Sequence, residues 1–298
     1  MELKKINGNT YYIPGPTNIG LFQFKDKYSL LVDTGSDNSE ARKISNMLNS
    51  LGISIKYVLN SHEHSDHWGG NLYIKDNYPG SVFYTSSEAA LFIENPYLFP
   101  LYIYGGQPLQ ELSRDYVRSK QMRLDYLLEA GIEKINGEKF DIIALPGHAR
   151  GQIGVATRDN VCFIGDALFS PEIIQKYSVP FIMDIASQLN TYELISSLHY
   201  DYYVLGHADQ IYKGEEMPAL IELNRRTLNA YLDLCLNLVD QPKSREDLLE
   251  EIIILEDLSV DLNEYYLLSS TLASLLSYLH HRGALKYQIE NGRVYFYK

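Results

Sequence analysis

Two cysteines in 298 residues cannot build a disulfide framework. Cys162 lies in an apolar strand-like run and Cys235 in a helical one, so both read as buried apolar positions. Basic residues are also in deficit: 26 Lys and Arg against 38 Asp and Glu leave a net charge of −12. That balance excludes any broad attraction to nucleic acid or an anionic membrane. No apolar stretch is long enough to span a bilayer, and the start is not of signal type. The chain is therefore expected to be soluble and cytoplasmic, with no membrane partner. Histidine is scarce too, with eight in all, which makes its placement informative.

Three of the eight fall within Ser61-His62-Glu63-His64-Ser65-Asp66-His67-Trp68-Gly69-Gly70. The apolar run Ile55-Lys56-Tyr57-Val58-Leu59 leads into this cluster and reads as a buried strand. The cluster thus leaves a strand end, where α/β proteins place their chemistry. Imidazole nitrogen and carboxylate oxygen are the donors that zinc and similar divalent ions prefer. His62 and His64, two apart in an extended loop, point the same way. Asp66 and His67 follow where the chain turns, so they can face a second ion.

The spacing of His62, His64, Asp66 and His67 resembles the His-x-His-x-Asp-His motif of the metallo-β-lactamase superfamily. The resemblance extends to later strand-to-loop junctions. His148 follows the run at residues 141–145 on the turn Pro146-Gly147, Asp166 follows residues 161–165, and His207 follows residues 202–206. By that resemblance His62, His64 and His148 hold one ion, Asp66, His67 and His207 hold another, and Asp166 bridges them. Asp33, after Ser29-Leu30-Leu31-Val32, resembles the aspartate that orients a ligand-bearing loop; an Asx turn is its local reading. Two divalent ions are implied, zinc by default, with iron or manganese also fitting the donors. Ions about 4 Å apart share a water and lower its pKa from near 16 toward about 7. Asp66 is the expected catalytic proton acceptor.

The implied fold class is α/β (α+β): an αββα sandwich, then a small helical, winged-helix-like C-terminal domain. Residues 1–212 form the expected catalytic domain, 213–241 a connecting helix and 242–298 the winged-helix-like part. Short strands at residues 3–6, 10–13, 19–24 and 28–32 are joined by tight turns, which predicts antiparallel hairpins. Residues 39–51 predict an amphipathic helix closed by Gly52, with Ile44, Met47, Leu48 and Leu51 on one side. Further helices are expected over residues 217–239, from Ser244, and over residues 264–281. The last carries His280 and His281, read as surface residues. A hairpin then turns at Asn291-Gly292.

An insert at about residues 86–135 interrupts the sandwich pattern. After a short helix that Ser86-Ser87-Glu88 can cap, the prolines and glycines of residues 94–108 argue against regular helix, while residues 110–128 read as helical with a basic face. Tyr97, Phe99, Tyr102 and Tyr104 must pack on something. They fill a core gap, wall the cleft together with Phe169, or meet a second subunit as in a homodimer. From Lys243 onward six basic residues face nine acidic ones, so the C-terminal part is expected to pack or dimerise rather than bind nucleic acid.

The resemblance implies metal-assisted hydrolysis of a small-molecule ester, thioester, lactone or phosphoester. Asp166 stands where the main zinc β-lactamases have cysteine. Phe169 stands where acyl-homoserine lactonases have tyrosine. Phe169-Ser170-Pro171-Glu172 replaces the Gly-Cys-Gly-Arg segment of glyoxalase II enzymes and persulfide dioxygenases. The rivals are a mononuclear iron dioxygenase of the persulfide type, which uses two histidines and one aspartate of this framework, and a lactamase-like nuclease.

Overall fold

The computed structural model describes residues 1–116 and 121–298. A seven-stranded sheet runs in chain order through β1 (Lys4–Asn7), β2 (Thr10–Ile13), β3 (Ile19–Gln23), β4 (Tyr28–Val32), β5 (Ser54–Leu59), β6 (Val82–Ser86) and β7 (Tyr126–Leu128). Its first four strands are antiparallel and the rest join in parallel. A six-stranded sheet comprises β8 (Gly131–Ile135), β9 (Glu138–Ala144), β10 (Ile153–Thr157), β11 (Val161–Gly165), β12 (Tyr202–Leu205) and β13 (Tyr212–Lys213), with β11 and β12 parallel.

Period-2 alternation divides each strand between two cores. In β4, Leu30 and Val32 point into the space between the sheets, where they meet Phe140, Val155 and Phe163 of the second sheet. Leu31 points outward to Ile44 and Leu48 of α1 (Asn38–Ser50). In β11 the outward Cys162 and Ile164 join a cluster with Tyr192 of α8 (Ile185–Ser196) and Leu228 of α9 (Met217–Leu238). Helices therefore cover both outer faces of the paired sheets, as the αββα expectation requires. Burial pushes both thiols up from their ordinary pKa. Leu51 departs from the expected face: it caps α1 and is 55% exposed.

The insert corrects two expectations. After α2 (Ser65–Trp68), α3 (Asn71–Asn77) and α4 (Ser87–Glu94), residues 98–104 form a helix after all, α5 (Leu98–Tyr104). Pro100 sits in its first turn, where the missing N–H would have had no partner anyway, and Gly105 ends it at φ +77°. Residues 110–128 are not one helix: α6 covers Gln110–Tyr116 among the described residues, and Tyr126–Leu128 is a strand. Residues 117–120 of that expected helix lie outside the described residues. Pairing with β6 prevails over helical propensity here, and the Tyr84 and Tyr126 rings stack at 5.2 Å.

After α7 (Pro171–Tyr177), α8 and α9, the chain ends in α10 (Arg245–Leu255), α11 (Leu262–His281) and a three-stranded sheet of β14 (Lys243–Ser244), β16 (Arg293–Tyr297) and β15 (Lys286–Glu290). Ser244 and Asp247 form a capping box at the start of α10. Asn291 and Gly292 turn the final hairpin at positive φ. His281 is exposed, but His280 is half-buried, with Nδ1 2.9 Å from the Leu285 carbonyl. Leu268, Leu272, Leu275 and Leu276 of α11 belong to the same buried cluster as the outer face of the second sheet. No helix among the described residues is long and apolar enough to cross a membrane.

Candidate metal centre

The ends of β5, β9, β11 and β12 deliver the candidate donors, and β4 ends beside β5 just before Asp33. His62, His64, His148 and Asp166 form one group with donor atoms within 4.8 Å of one another, and Asp66, His67 and His207 form a second. Asp166 joins them: its Oδ2 lies 4.0 Å from His62 Nε2, 3.5 Å from His148 Nε2, 3.4 Å from His67 Nε2 and 3.3 Å from His207 Nε2. Asp66 Oδ2 stands 3.1 Å from His207 Nε2. Asp66 is much more open than Asp166, with 38% of its side chain exposed against 6%.

The outer nitrogen of four of these histidines is held in place. His62 Nδ1 is 3.0 Å from Ser61 Oγ, and His67 Nδ1 is 2.7 Å from Asp33 Oδ2. His148 Nδ1 donates to the Phe181 carbonyl at 2.7 Å, and His207 Nδ1 to the Pro16 carbonyl at 2.6 Å. Each such bond leaves Nε2 free to face the centre. His64 faces it with Nδ1, 2.8 Å from His148 Nε2.

Asp33 sits at φ +69°, and its carboxylate reaches far along the chain rather than closing a local turn. It accepts from Ser61 N and Ser61 Oγ, both at 2.7 Å, as well as from His67. Asp33→Asn keeps the size and tolerates the left-handed backbone, but loses charge and one acceptor. It is expected to weaken metal binding by about 10- to 100-fold. Chelator competition measures this, and an unchanged affinity would remove Asp33 from the site.

The residues fit a pair of cations. His62 Nε2, His67 Nε2 and Asp166 Oδ1 are buried with no hydrogen-bond partner among the described residues, a costly state unless something binds them. Burial, with neighbouring imidazoles, holds His62 well below its ordinary pKa; burial likewise lowers His64 and His148. Neutral imidazole is the form that binds metal. The other group is anion-rich. Burial opposes charge on His67, but Asp166, Asp33 and Asp66 outweigh it and push its pKa to about 10. The same contest, won by Asp166, raises His207. Where these three carboxylates favour positive charge, a divalent ion can take the place of the protons.

The aromatic residues expected around the cleft divide. The Phe99 ring lies 5.0 Å from His64 and the Phe169 ring 5.6 Å from His148, so both flank the three-histidine group. Tyr104 packs at 5.1 Å on Tyr266 of α11. Tyr97 is 42% exposed and bonded to Gln107. Tyr102, 43% exposed, lines a groove between α5 and α11 beside Gly147 and Arg150.

Sequence reasoning missed Phe181, whose ring lies 5.4 Å from His64, and the carbonyls of Pro16 and Phe181. A backbone oxygen carries no residue-type signal. Glu63 was also missed, although it adjoins two histidines. It is buried, its Oε1 accepts from Arg150 N at 3.2 Å, and it so ties the His148 loop to the first cluster.

The sandwich thus brings seven histidine and aspartate side chains to one edge. The chain belongs to the metallo-beta-lactamase superfamily, whose family model matches residues 12–207, a span that holds all seven donors. A curated relative, the hydroxyacylglutathione hydrolase GloC of Haemophilus influenzae, is 28% identical over 160 residues, covering 51% of this chain and 66% of that protein. The hydroxyacylglutathione hydrolase of Serratia proteamaculans is 25% identical over 158 residues, 51% of each chain. These matches thus span about half of this chain and less than two thirds of either relative. Among solved structures, a metallo-beta-lactamase family protein of Thermus thermophilus superposes with a TM-score of 0.75 at 21% identity, over 97% of this chain and 99% of that one. A beta-lactamase domain protein of Burkholderia ambifaria gives 0.76 at 14% identity, over 100% and 93%. The likeness in fold therefore extends past residue 207 into the C-terminal region.

Proposed function

We propose that this chain is a hydrolase that works with two divalent ions, zinc being the ion the nitrogen and oxygen donors favour. His62, His64 and His148 would hold one ion, Asp66, His67 and His207 the other, and Asp166 would lie between them. The observation that carries this reading is the position of Asp166 Oδ2, within 4.0 Å of four imidazole nitrogens drawn from both groups. When bound, the ions would supply Lewis acidity: they would polarise the substrate carbonyl, making its carbon more electrophilic, and lower the pKa of water.

The chain's own residues do the rest. Ser61, Asp33, Phe181 and Pro16 fix the tautomers and ring planes of four histidines. Phe99, Phe169 and Phe181 keep water from one side and leave the substrate an apolar wall. Asp66, more open than Asp166, would accept a proton released from the attacking water. We read the final sheet with α10 and α11 as a winged-helix-like unit that packs on the catalytic part and does not bind nucleic acid.

The substrate class supported best is a thioester, because the curated relatives named above are hydroxyacylglutathione hydrolases. The reading stops at the class: Phe169-Ser170-Pro171-Glu172 lacks the Gly-Cys-Gly-Arg segment of the glutathione enzymes. Elemental analysis of protein purified without added metal is expected to give two divalent ions per chain. A hydroxyacyl thioester should be hydrolysed, with activity lost on chelation and regained with zinc. One iron per chain, with oxygen consumed on a persulfide, would overturn the proposal.

A further inference from the structure

The segment between α7 and α8 has no helix or strand of its own over residues 178–184, yet it carries the carbonyl that orients His148. Its backbone groups must be satisfied from elsewhere. One side is met by the His148 loop itself: Met183 N donates to the Gly147 carbonyl at 2.9 Å, and Asp184 N to the same oxygen at 3.0 Å. The other side is met by α11, nearly ninety residues later. Ile182 N donates to Thr271 Oγ1 at 3.3 Å, and Ser274 Oγ donates to the Met183 carbonyl at 2.7 Å. Thr271 is 1% exposed, so its hydroxyl has no water to turn to. The two hydroxyls, one turn apart on one helix face, bracket the peptide units that follow Phe181.

We propose that Thr271 and Ser274 are positioning residues for the metal centre: α11 fixes the strap at residues 181–183 and, through the Phe181 carbonyl, sets the ring of His148. This gives the region beyond the family match a part in the site, and it rests on the metal-binding reading above. A hydrogen bond to the outer nitrogen of a metal-binding histidine governs affinity. Loosening that acceptor should therefore weaken the three-histidine group alone. The second group takes its supports from Asp33 and Pro16 and should not respond.

The test reads zinc affinity by chelator competition in two backgrounds. In His207→Ala the three-histidine group is the intact one; in His148→Ala the other group is. Adding Thr271→Val and Ser274→Ala, which remove the hydroxyls and little else, is expected to weaken the remaining ion about 10- to 100-fold in the first background. In the second background it should leave affinity within about twofold. Thr271→Ser, which keeps an oxygen at the same place, is expected to restore affinity. Because Val for Thr at a buried site could unfold the chain, Ser274→Ala alone is measured as well, with the melting temperature of each metal-free protein. Equal weakening in both backgrounds, or unchanged zinc affinity in the first, would overturn the proposal while leaving the metal reading intact. A wild-type protein that binds no zinc would remove both.

Discussion

Asp166→Asn is expected to lower kcat/KM on a responsive thioester by on the order of 10³-fold, corresponding to several kcal/mol of lost transition-state stabilisation. The substitution changes few atoms. It does remove the one negative charge that faces His62, His148, His67 and His207 together. Two cations held close together would repel each other, and in a buried site a carboxylate near both groups would offset that repulsion. An amide can offer an oxygen but not the charge. Elemental analysis should accordingly find fewer than two ions per chain, while the far-ultraviolet spectrum stays that of the folded protein. Full metal content together with kcat/KM within threefold of wild type would show that Asp166 does not join the two groups.

Gly206→Ala is expected to do comparable damage through shape alone. A Cβ at this position would stand 2.1 Å from Asp166 Oδ1 and 2.8 Å from His67 Cε1. Neither side can withdraw easily. Gly206 N donates to the Gly165 carbonyl at 2.8 Å, and the Gly206 carbonyl accepts from Asn18 N at 2.7 Å, so the backbone is held from two directions. The Asp166 carboxylate must swing away from the centre. The expected result is loss of metal and at least about a hundredfold fall in kcat/KM, together with about 1–3 kcal/mol of destabilisation from overpacking. Urea unfolding of the metal-free protein separates the second effect from the first. Gly165 differs in kind: its φ of +51° makes a demand on the backbone as well, while a Cβ there would come no nearer than 3.1 Å, to Ser61 Oγ. A Gly206→Ala protein with normal zinc content would refute the crowding argument.

Much of this could be read along the chain because the information is local. A candidate donor such as His148 or His207, marked by the resemblance, follows a particular apolar run, and the run predicts the strand that presents it. Caps behave the same way: Ser86, Ser244 and Asn291-Gly292 each bond or bend within a few residues of themselves. The insert was read less well. Counting Pro100 as a helix breaker ignored that the first turn has no N–H bond to lose. Residues 126–128 form a strand only because β6 offers an open edge.

The sequence by itself offered seven candidate donors and the apolar runs that precede them, because residue type and hydrophobic period act over short distances; their grouping and the two-sheet sandwich were implied by the resemblance those residues carry. Only the tertiary structure decided which nitrogen of each histidine faces the centre, and which distant group holds the other. Phe181 meets His148 across 33 residues and Pro16 meets His207 across 191, both through backbone carbonyls that every residue possesses. A contact made by an atom common to all residues leaves no mark on the sequence. It exists only once the packing of the sheets and of α11 has brought the two segments together.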